Sequence, residues 1–142
     1  MKALIDTNVI LDFILRREPY YENAAKINIL SEKGHIYGYI SASAVTDIFY
    51  VAKKELKNKD TVIILLKNIL KTIRIASVTE GSIHEALDLE WDDFEDSVQY
   101  VAGQSISADY IITRNPKDFA DSRIKVISPE EFLNKITKFT DD

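Results

Sequence analysis

The feature that most constrains the fold is a repeated alternation between short apolar runs and longer segments whose apolar residues recur every three or four positions. Short apolar runs favour buried strands, whereas the longer spacing favours amphipathic helices. Only four glycines and three prolines interrupt the chain, and they do not cluster, so no linker or internal repeat is indicated. The pattern predicts strands at residues 3–5, 35–40, 73–78, 110–112 and 124–127, and helices at residues 7–15, 20–33, 80–89, 94–105 and 129–136.

Two further helices are predicted between the second and third strands. The first is long, with Ser41 or Ser43 as its N-cap, because serine oxygens accept hydrogen bonds from free first-turn amides. Asp60 is the predicted N-cap of the second. The apolar face of the long helix is formed by Val45, Ile48, Phe49, Ala52 and Leu56.

Strands that alternate with helices pair in parallel, and the helices then cover both faces of the sheet. We therefore expect an α/β fold, a three-layer α/β/α architecture with a central, mostly parallel sheet, in a single domain spanning residues 1–142. Ligands of such sheets bind outside the carboxyl ends of the strands. Polar residues directly after the strands are therefore the candidates for a functional site.

Charge and composition exclude several classes of protein. The 18 basic and 23 acidic residues give a net charge of -5, so the chain lacks the basic surface of proteins that hold nucleic acid by charge alone. The absence of cysteine excludes disulfide scaffolds, thiolate zinc sites and cysteine nucleophiles. Asp6 interrupts the first apolar run before it reaches signal-peptide length. We expect a soluble, cytoplasmic protein.

Acidic and amide residues follow the predicted strands. Asp6 ends the first strand, and Asp93 and Asp96 open a late helix, where a spacing of three residues puts them on one face. Three more residues of this kind follow the second and fourth strands: Asp47, Asn115 and Asp118.

Carboxylates that share one pocket raise each other's pKa unless a cation neutralises them. Ligation by carboxylate and amide oxygens suits Mg²⁺ or Mn²⁺, which keep several waters and bridge to phosphate oxygens. Such an ion lowers the pKa of a bound water, which then attacks phosphorus. The implied reaction is hydrolysis of a phosphodiester.

Three segments together resemble the PIN-domain family: residues 6–8 (DTN), residues 93–96 (DFED) leading into Gln99 and Ala102, and residues 113–119 (TRNPKDF). The segments occur in the family's order, and the resemblance covers essentially the whole chain. It implies a ribonuclease that depends on Mg²⁺ or Mn²⁺. Single-domain prokaryotic members are often VapC-type toxins of toxin-antitoxin pairs and are usually dimeric. The implied partners are therefore an RNA substrate, an antitoxin protein and a second copy of this chain.

The resemblance also assigns the acidic site. Asp6 matches the family's first acid, and Asp96 matches the acid at the start of the late helix. The second acid, commonly glutamate, falls on Asp47, whose side chain is one methylene shorter. The implied metal ligands are Asp6, Asp47 and Asp96, with Asp93 beside them.

The fourth acid of the family falls on Asn115, which is uncharged. Asn115 is expected to ligate through its carbonyl oxygen, with Asp93 or Asp118 as the alternatives. Thr113 matches a frequent hydroxyl that orients a water or a phosphate oxygen, so it is included with Asp6, Asp47, Asp96 and Asn115 among the catalytic residues. The expected substrate-binding residues are Asn8, which also braces the first turn, and the cations Arg114 and Lys117.

Each acid also has an ordinary structural alternative. Asp6 suits an N-cap, and Asp47 suits a solvated helix face. Asp93 and Asp96 are favoured near a helix N-terminus by its dipole, and Asp118 suits a turn.

Two alternative functions follow from the same residues. Because Asp47 and Asn115 depart from the family pattern, the chain is alternatively a catalytically weakened PIN-like module that binds RNA or a protein. A sensitive cleavage assay with Mn²⁺ separates the two. A phosphoryl-transfer receiver or phosphatase is disfavoured, since residues 6–8 lack the second acid of an Asp-x-Asp motif.

Overall fold

The computed structural model describes residues 1–140, with side chains described to residue 136. The predicted domain therefore ends in two residues, 141 and 142, that lie outside the described residues. Within the described residues, the strands are β1 (Lys2–Ile5), β2 (Tyr37–Ser41), β3 (Arg74–Ala76), β4 (Tyr110–Ile112) and β5 (Lys125–Ile127). The helices are α1 (Thr7–Ile14), α2 (Tyr21–Glu32), α3 (Ala42–Leu56), α4 (Lys59–Ile69), α5 (Glu80–Asp88), α6 (Phe94–Ser105) and α7 (Pro129–Thr140), with a short 3₁₀ helix at Pro116–Phe119.

The five strands form one sheet in the order β3-β2-β1-β4-β5, and each neighbouring pair is parallel. β1 is the central strand, and its Leu4 lies beside Tyr39 of β2 and Ile111 of β4. The carboxyl ends of β1, β2 and β4 consequently lie side by side. The predicted parallel sheet is confirmed.

Alternation along each strand separates two layers of core. Ala3 and Ile5 of β1 pack with apolar residues of α1, α2, α3, α4 and α7, whereas Leu4 packs on the other face with Tyr100 and Ala102 of α6. Successive side chains of a strand point to opposite faces, so one short strand serves both cores. The helices cover both faces, as predicted for a three-layer fold.

The helix starts agree with capping chemistry at one predicted position and differ at another. Ser41 accepts a hydrogen bond from the Ala44 amide at 3.2 Å and caps α3. The prediction that Asp60 caps α4 is wrong, because Asn58 holds that place and accepts from the Thr61 amide at 3.1 Å. Lys57 ends α3 in the left-handed conformation, which leaves Asn58 extended as the first residue able to cap.

α6 approaches the sheet closely at Gly103. A Cβ atom added there would lie 3.4 Å from Leu4 Cδ2 and 3.2 Å from Ile124 Cδ1. Gln99 lies four residues earlier, on the same face of the helix. The absence of a side chain at Gly103 thus allows α6 to bring Gln99 towards the end of β1.

Among the described residues, no helix combines the length and the apolar character needed to cross a membrane.

Candidate active site

Asp6 lies at the carboxyl end of the central strand and is buried, with 6% of its surface exposed. It occupies the N-cap position of α1, but its side chain makes no capping hydrogen bond. Its Oδ1 accepts from Gln99 Nε2 and its Oδ2 from Thr113 Oγ1, each at 3.0 Å. Burial raises the pKa of Asp6, while these two hydrogen bonds lower it. Helix capping therefore does not account for this carboxylate.

Gln99 is part of a sequence motif described above, but the motif alone assigned it no role. Its side chain is buried, donates to Asp6, and accepts from the Thr7 amide at 3.3 Å through Oε1. Both ends of the amide group are thus used, which fixes its orientation. The sequence signal for this role is a glutamine that lies between Val98 and Val101, two residues of the inward helix face.

Asp93 and Asp96 lie at the start of α6. Asp93 is exposed and caps the helix, accepting from the Asp96 amide at 3.1 Å. Burial, together with the charges of the nearby Asp93, Asp6, Asp118 and Glu95, raises the pKa of Asp96 to about 7. Asp6 and Asp96, 90 residues apart in sequence, therefore share one electrostatic environment.

Glu95 is a second residue that sequence reasoning did not assign. Its Oε1 accepts from Thr7 Oγ1 at 3.3 Å. Burial and the neighbouring Asp47 raise the pKa of Glu95 to about 7, with a smaller effect from Asp93. The half-buried side chain of Asp47 on α3 therefore lies close enough to Glu95 for the two carboxylates to interact. The sequence signal that could have identified Glu95 is its position directly before Asp96 at the start of a helix.

Asp118 is exposed, in the 3₁₀ helix that follows β4. Its charge raises the pKa of both Asp6 and Asp96. Asp118 and Asp96 also line a pocket of about 390 Å³ together with Asp93, Asp121 and one cation, Lys117. We refer to Asp6, Asp47, Asp93, Glu95, Asp96 and Asp118 as the acidic cluster.

Thr113 and Asn115 come from the segment that follows β4. Thr113 is buried, and its Oγ1 both donates to Asp6 and accepts from the Asn115 amide at 3.1 Å. Asn115 itself is exposed. The structure therefore brings Thr113 directly to Asp6, and connects Asn115 to it through the main chain.

The residues expected to bind substrate take different positions. Asn8 is half-buried in the first turn of α1, and Lys117 is exposed at the pocket. Arg114 instead faces α1, where its Nε lies 2.8 Å from Asp12 Oδ2. Lys117 thus lies at the pocket of the acidic cluster and Asn8 two residues after Asp6 in the chain, whereas the Arg114 guanidinium is directed to the buried carboxylate of Asp12.

The donor set suits a hard divalent cation. Within the described part of the chain, no group of three or more histidine, aspartate or glutamate residues is placed to hold a metal ion. However, Mg²⁺ commonly binds through only one or two carboxylates and keeps several waters. Asp6 and Asp96 are such a pair, and neither forms an ion pair with a basic side chain of the described residues. A cation would relieve the repulsion that raises the pKa of Asp96.

Solved structures with a similar fold include toxin-antitoxin proteins. VapBC2 from Rickettsia felis bound to a promoter DNA fragment aligns with a TM-score of 0.67 and 18% identity, covering 89% of this chain and 97% of that one. A toxin-antitoxin complex from Klebsiella pneumoniae aligns with a TM-score of 0.67 and 23% identity, covering 89% of this chain and 97% of that one. VapC20 from Mycobacterium tuberculosis is described as a sarcin-ricin loop cleaving toxin. It aligns with a TM-score of 0.63 and 11% identity, covering 77% of this chain and 86% of that one. At these identities the likeness shows the fold alone.

No curated protein sequence matches this chain. A family profile described as PIN domain matches residues 2–117. The matched region contains β1 with Asp6, all of α6 with Asp96, and Thr113 after β4. It spans most of the chain, from the central strand to the segment that closes the acidic cluster. The chain therefore belongs to the PIN-domain family.

Proposed function

We propose that this protein is a metal-dependent endoribonuclease that hydrolyses RNA phosphodiesters and is the toxin component of a toxin-antitoxin pair. The observation that carries the proposal is that Asp6, at the carboxyl end of β1, is hydrogen-bonded to Gln99 of α6, and that its charge raises the pKa of Asp96 at the start of the same helix. A buried acid whose charge raises the pKa of a half-buried neighbouring acid is typical of functional sites rather than of a solvated surface. Membership of the PIN-domain family supports the nuclease activity.

In this proposal Asp6 and Asp96 hold Mg²⁺ or Mn²⁺, with Asp47 and Asp93 as further ligands directly or through water. When bound, the cation supplies an activated water and stabilises negative charge on the phosphate. The chain itself positions the ligand: Gln99 and Thr113 each hold one oxygen of Asp6. These two hydrogen bonds limit rotation of the carboxylate, so that its remaining lone pairs keep one direction.

Glu95 has the property expected of a proton-transfer group. In the metal-free chain, burial and the neighbouring acids raise its pKa to about 7, and a proton-transfer group needs a pKa near the working pH. Thr7 Oγ1 fixes its Oε1. We propose that Glu95 exchanges protons with water or with the leaving oxygen, while Thr113 acts through Asp6, whose Oδ2 its hydroxyl holds.

RNA is the proposed substrate, and an antitoxin protein is the proposed partner. One structural neighbour is described as a sarcin-ricin loop cleaving toxin, and others are complexes of toxin with antitoxin. With a net charge of -5, phosphate contacts depend on local cations such as Lys117 and on the bound metal. A homodimer in the cytoplasm is part of the same proposal.

The test is cleavage of RNA by the purified chain in Mg²⁺ or Mn²⁺. We expect wild-type cleavage that EDTA abolishes, and a loss of at least about a hundredfold in Asp96→Asn, because a ligand oxygen and its charge are removed. Glu85→Gln, an exposed carboxylate on α5 outside the acidic cluster, is the matched control and should cleave normally. Thermal melts report whether each variant is folded.

Two outcomes would contradict the proposal. Cleavage retained by a folded Asp6→Asn/Asp96→Asn double variant would show that these acids are not the catalytic centre. Repeated absence of cleavage by the wild type, together with measurable RNA binding, would instead favour the catalytically weakened binding module.

A further inference from the structure

A buried ion pair connects α1 to the segment that carries Thr113. Asp12, on α1, is buried with 1% of its surface exposed. Arg114 Nε lies 2.8 Å from Asp12 Oδ2, and Arg114 Nη2 donates to Asp12 Oδ1 at 3.3 Å. Arg114 directly follows Thr113, whose hydroxyl donates to Asp6. The ion pair is therefore one residue away from a direct contact with the acidic cluster.

The guanidinium of Arg114 is held on two sides. Its second contact is the ring of Tyr20, whose centroid lies 4.0 Å from the guanidinium carbon. Of the two nitrogens near Asp12, Nη2 donates a hydrogen bond, while Nε is in ion-pair contact without one. A guanidinium that lies over a ring and places two nitrogens at one carboxylate is an arrangement that the single ammonium group of lysine does not reproduce. A guanidinium engaged in this way has little freedom left to reach a phosphate.

The segment after β4 is also anchored elsewhere: Phe119 at its end is buried and packs edge-on against Trp91. The Thr113 amide donates to Ile127 O of β5 at 3.0 Å, the Asn115 amide donates to Thr113 Oγ1, and the Asp118 amide donates to Asn115 O at 3.0 Å. The last two bonds lie within the segment itself. Arg114 therefore joins this segment to Asp12 within α1, in addition to the hydrogen bond from Thr113 to Asp6 at the start of that helix.

We propose that Asp12 and Arg114 are positioning residues of the nuclease site, which fix the segment after β4 so that Thr113 stays against Asp6. This inference rests on the proposed function. It replaces the phosphate contact expected of Arg114 from the sequence with a role through Thr113. Loss of either partner lets the segment move, and a small displacement of groups around a reacting centre is sufficient to slow the chemical step strongly.

The kinetic test is a double-mutant cycle of Asp12→Asn and Arg114→Gln in RNA cleavage. We expect each single variant to lower kcat about tenfold to a hundredfold with KM within about twofold, and the double variant to lose no more than either single one, because both remove the same connection. Arg114→Lys should behave like Arg114→Gln, since its charge is kept but the planar fork is lost. The matched control is Arg17→Gln. Arg17 forms a long ion pair with Asp12 at 4.0 Å and a short one with Glu55 at 2.8 Å, and among the described residues its ion pairs do not include the segment after β4.

Amide hydrogen exchange gives a readout that does not depend on cleavage. We expect faster exchange at residues 113–119 in Asp12→Asn and Arg114→Gln, with protection of the strands β1 and β2 unchanged. If the wild type does not cleave RNA, the proposed function fails, and the exchange data still decide whether the ion pair holds this segment.

Three results would overturn the inference. If Arg114→Gln raises KM with unchanged kcat, and Asp12→Asn changes neither constant, Arg114 would be assigned to phosphate binding. Additive losses in the double variant would mean that the two residues act independently. Loss of protection throughout the chain, rather than at residues 113–119, would assign the ion pair to the stability of the whole fold.

Discussion

Replacing Asp96 by asparagine should stabilise the metal-free protein at alkaline pH. The folded protein raises the pKa of this carboxyl group from 3.8 to about 7, chiefly by burial and by the charges of Asp93 and Asp6. A raised acid pKa means that the folded state favours the protonated form. Its contribution to stability is fully present below the unfolded pKa and is lost as pH rises through about 7. Asparagine carries no charge, so the variant escapes this loss.

The size of the effect follows from the pKa. A change of about 3 pKa units corresponds to at most about 4 kcal/mol. Asp96 is only partly buried, and its charge interacts favourably with the N-terminus of α6. Solvent screening and this favourable interaction reduce the net difference to about 1–2 kcal/mol. For a chain of this length, that predicts a melting temperature about 3 to 8 °C higher for Asp96→Asn than for the wild type.

Thermal melts in EDTA at about pH 5 and about pH 8 test this prediction. The difference in melting temperature should be present at pH 8 and small at pH 5, and Glu85→Gln should show neither effect. Adding Mn²⁺ at pH 8 should raise the melting temperature of the wild type more than that of Asp96→Asn, because a ligand that binds the folded state stabilises it. A variant that melts at or below the wild-type temperature at pH 8 would refute the electrostatic reasoning.

Three further changes test other parts of the structure. Gln99→Glu places a second carboxylate beside Asp6 and removes a donor, so the free energy of unfolding should fall by about 2–3 kcal/mol at pH 8 and recover partly at pH 5; a pH-independent change in urea denaturation would contradict this. Ser41→Ala removes the cap of α3 and should cost about 1 kcal/mol, whereas an unchanged urea midpoint would mean that the cap contributes nothing. Phe132→Ala, at a fully buried position of α7, should cost about 3–5 kcal/mol, and a loss below about 1 kcal/mol would show that the neighbouring core closes over the cavity.

The strands and helices were predictable from the sequence because their signals are local. The short apolar run before Asp6 and the spacing of apolar residues in α6 depend on a few neighbouring positions, and both elements lie where the pattern put them. Errors occurred where two local signals competed. Asn58 and Asp60 are both suitable N-cap residues, and Asn58 caps α4 because α3 ends at Lys57. The 3₁₀ helix Pro116–Phe119, which carries Asp118, was predicted only as a turn.

The site was predictable in part, for the same reason. Asp6 was a candidate because it directly follows a strand, and the carboxyl ends of parallel strands are where such folds bind ligands. The roles of Gln99 and Glu95 were not predictable from pattern alone. Each depends on a contact with the start of α1, about 90 residues earlier in the chain, through Thr7.

By itself, then, the sequence determined the elements, the parallel sheet and the presence of acids after the strands, because hydrophobic periodicity and capping act over a few residues. Only the tertiary structure decided which acids meet, how strongly they raise each other's pKa, and that Arg114 faces Asp12, 102 residues away in sequence. These outcomes depend on the strand order and on the close packing of α6 at Gly103. Burial and distance between remote segments are properties of the folded chain, and electrostatic interactions depend on both.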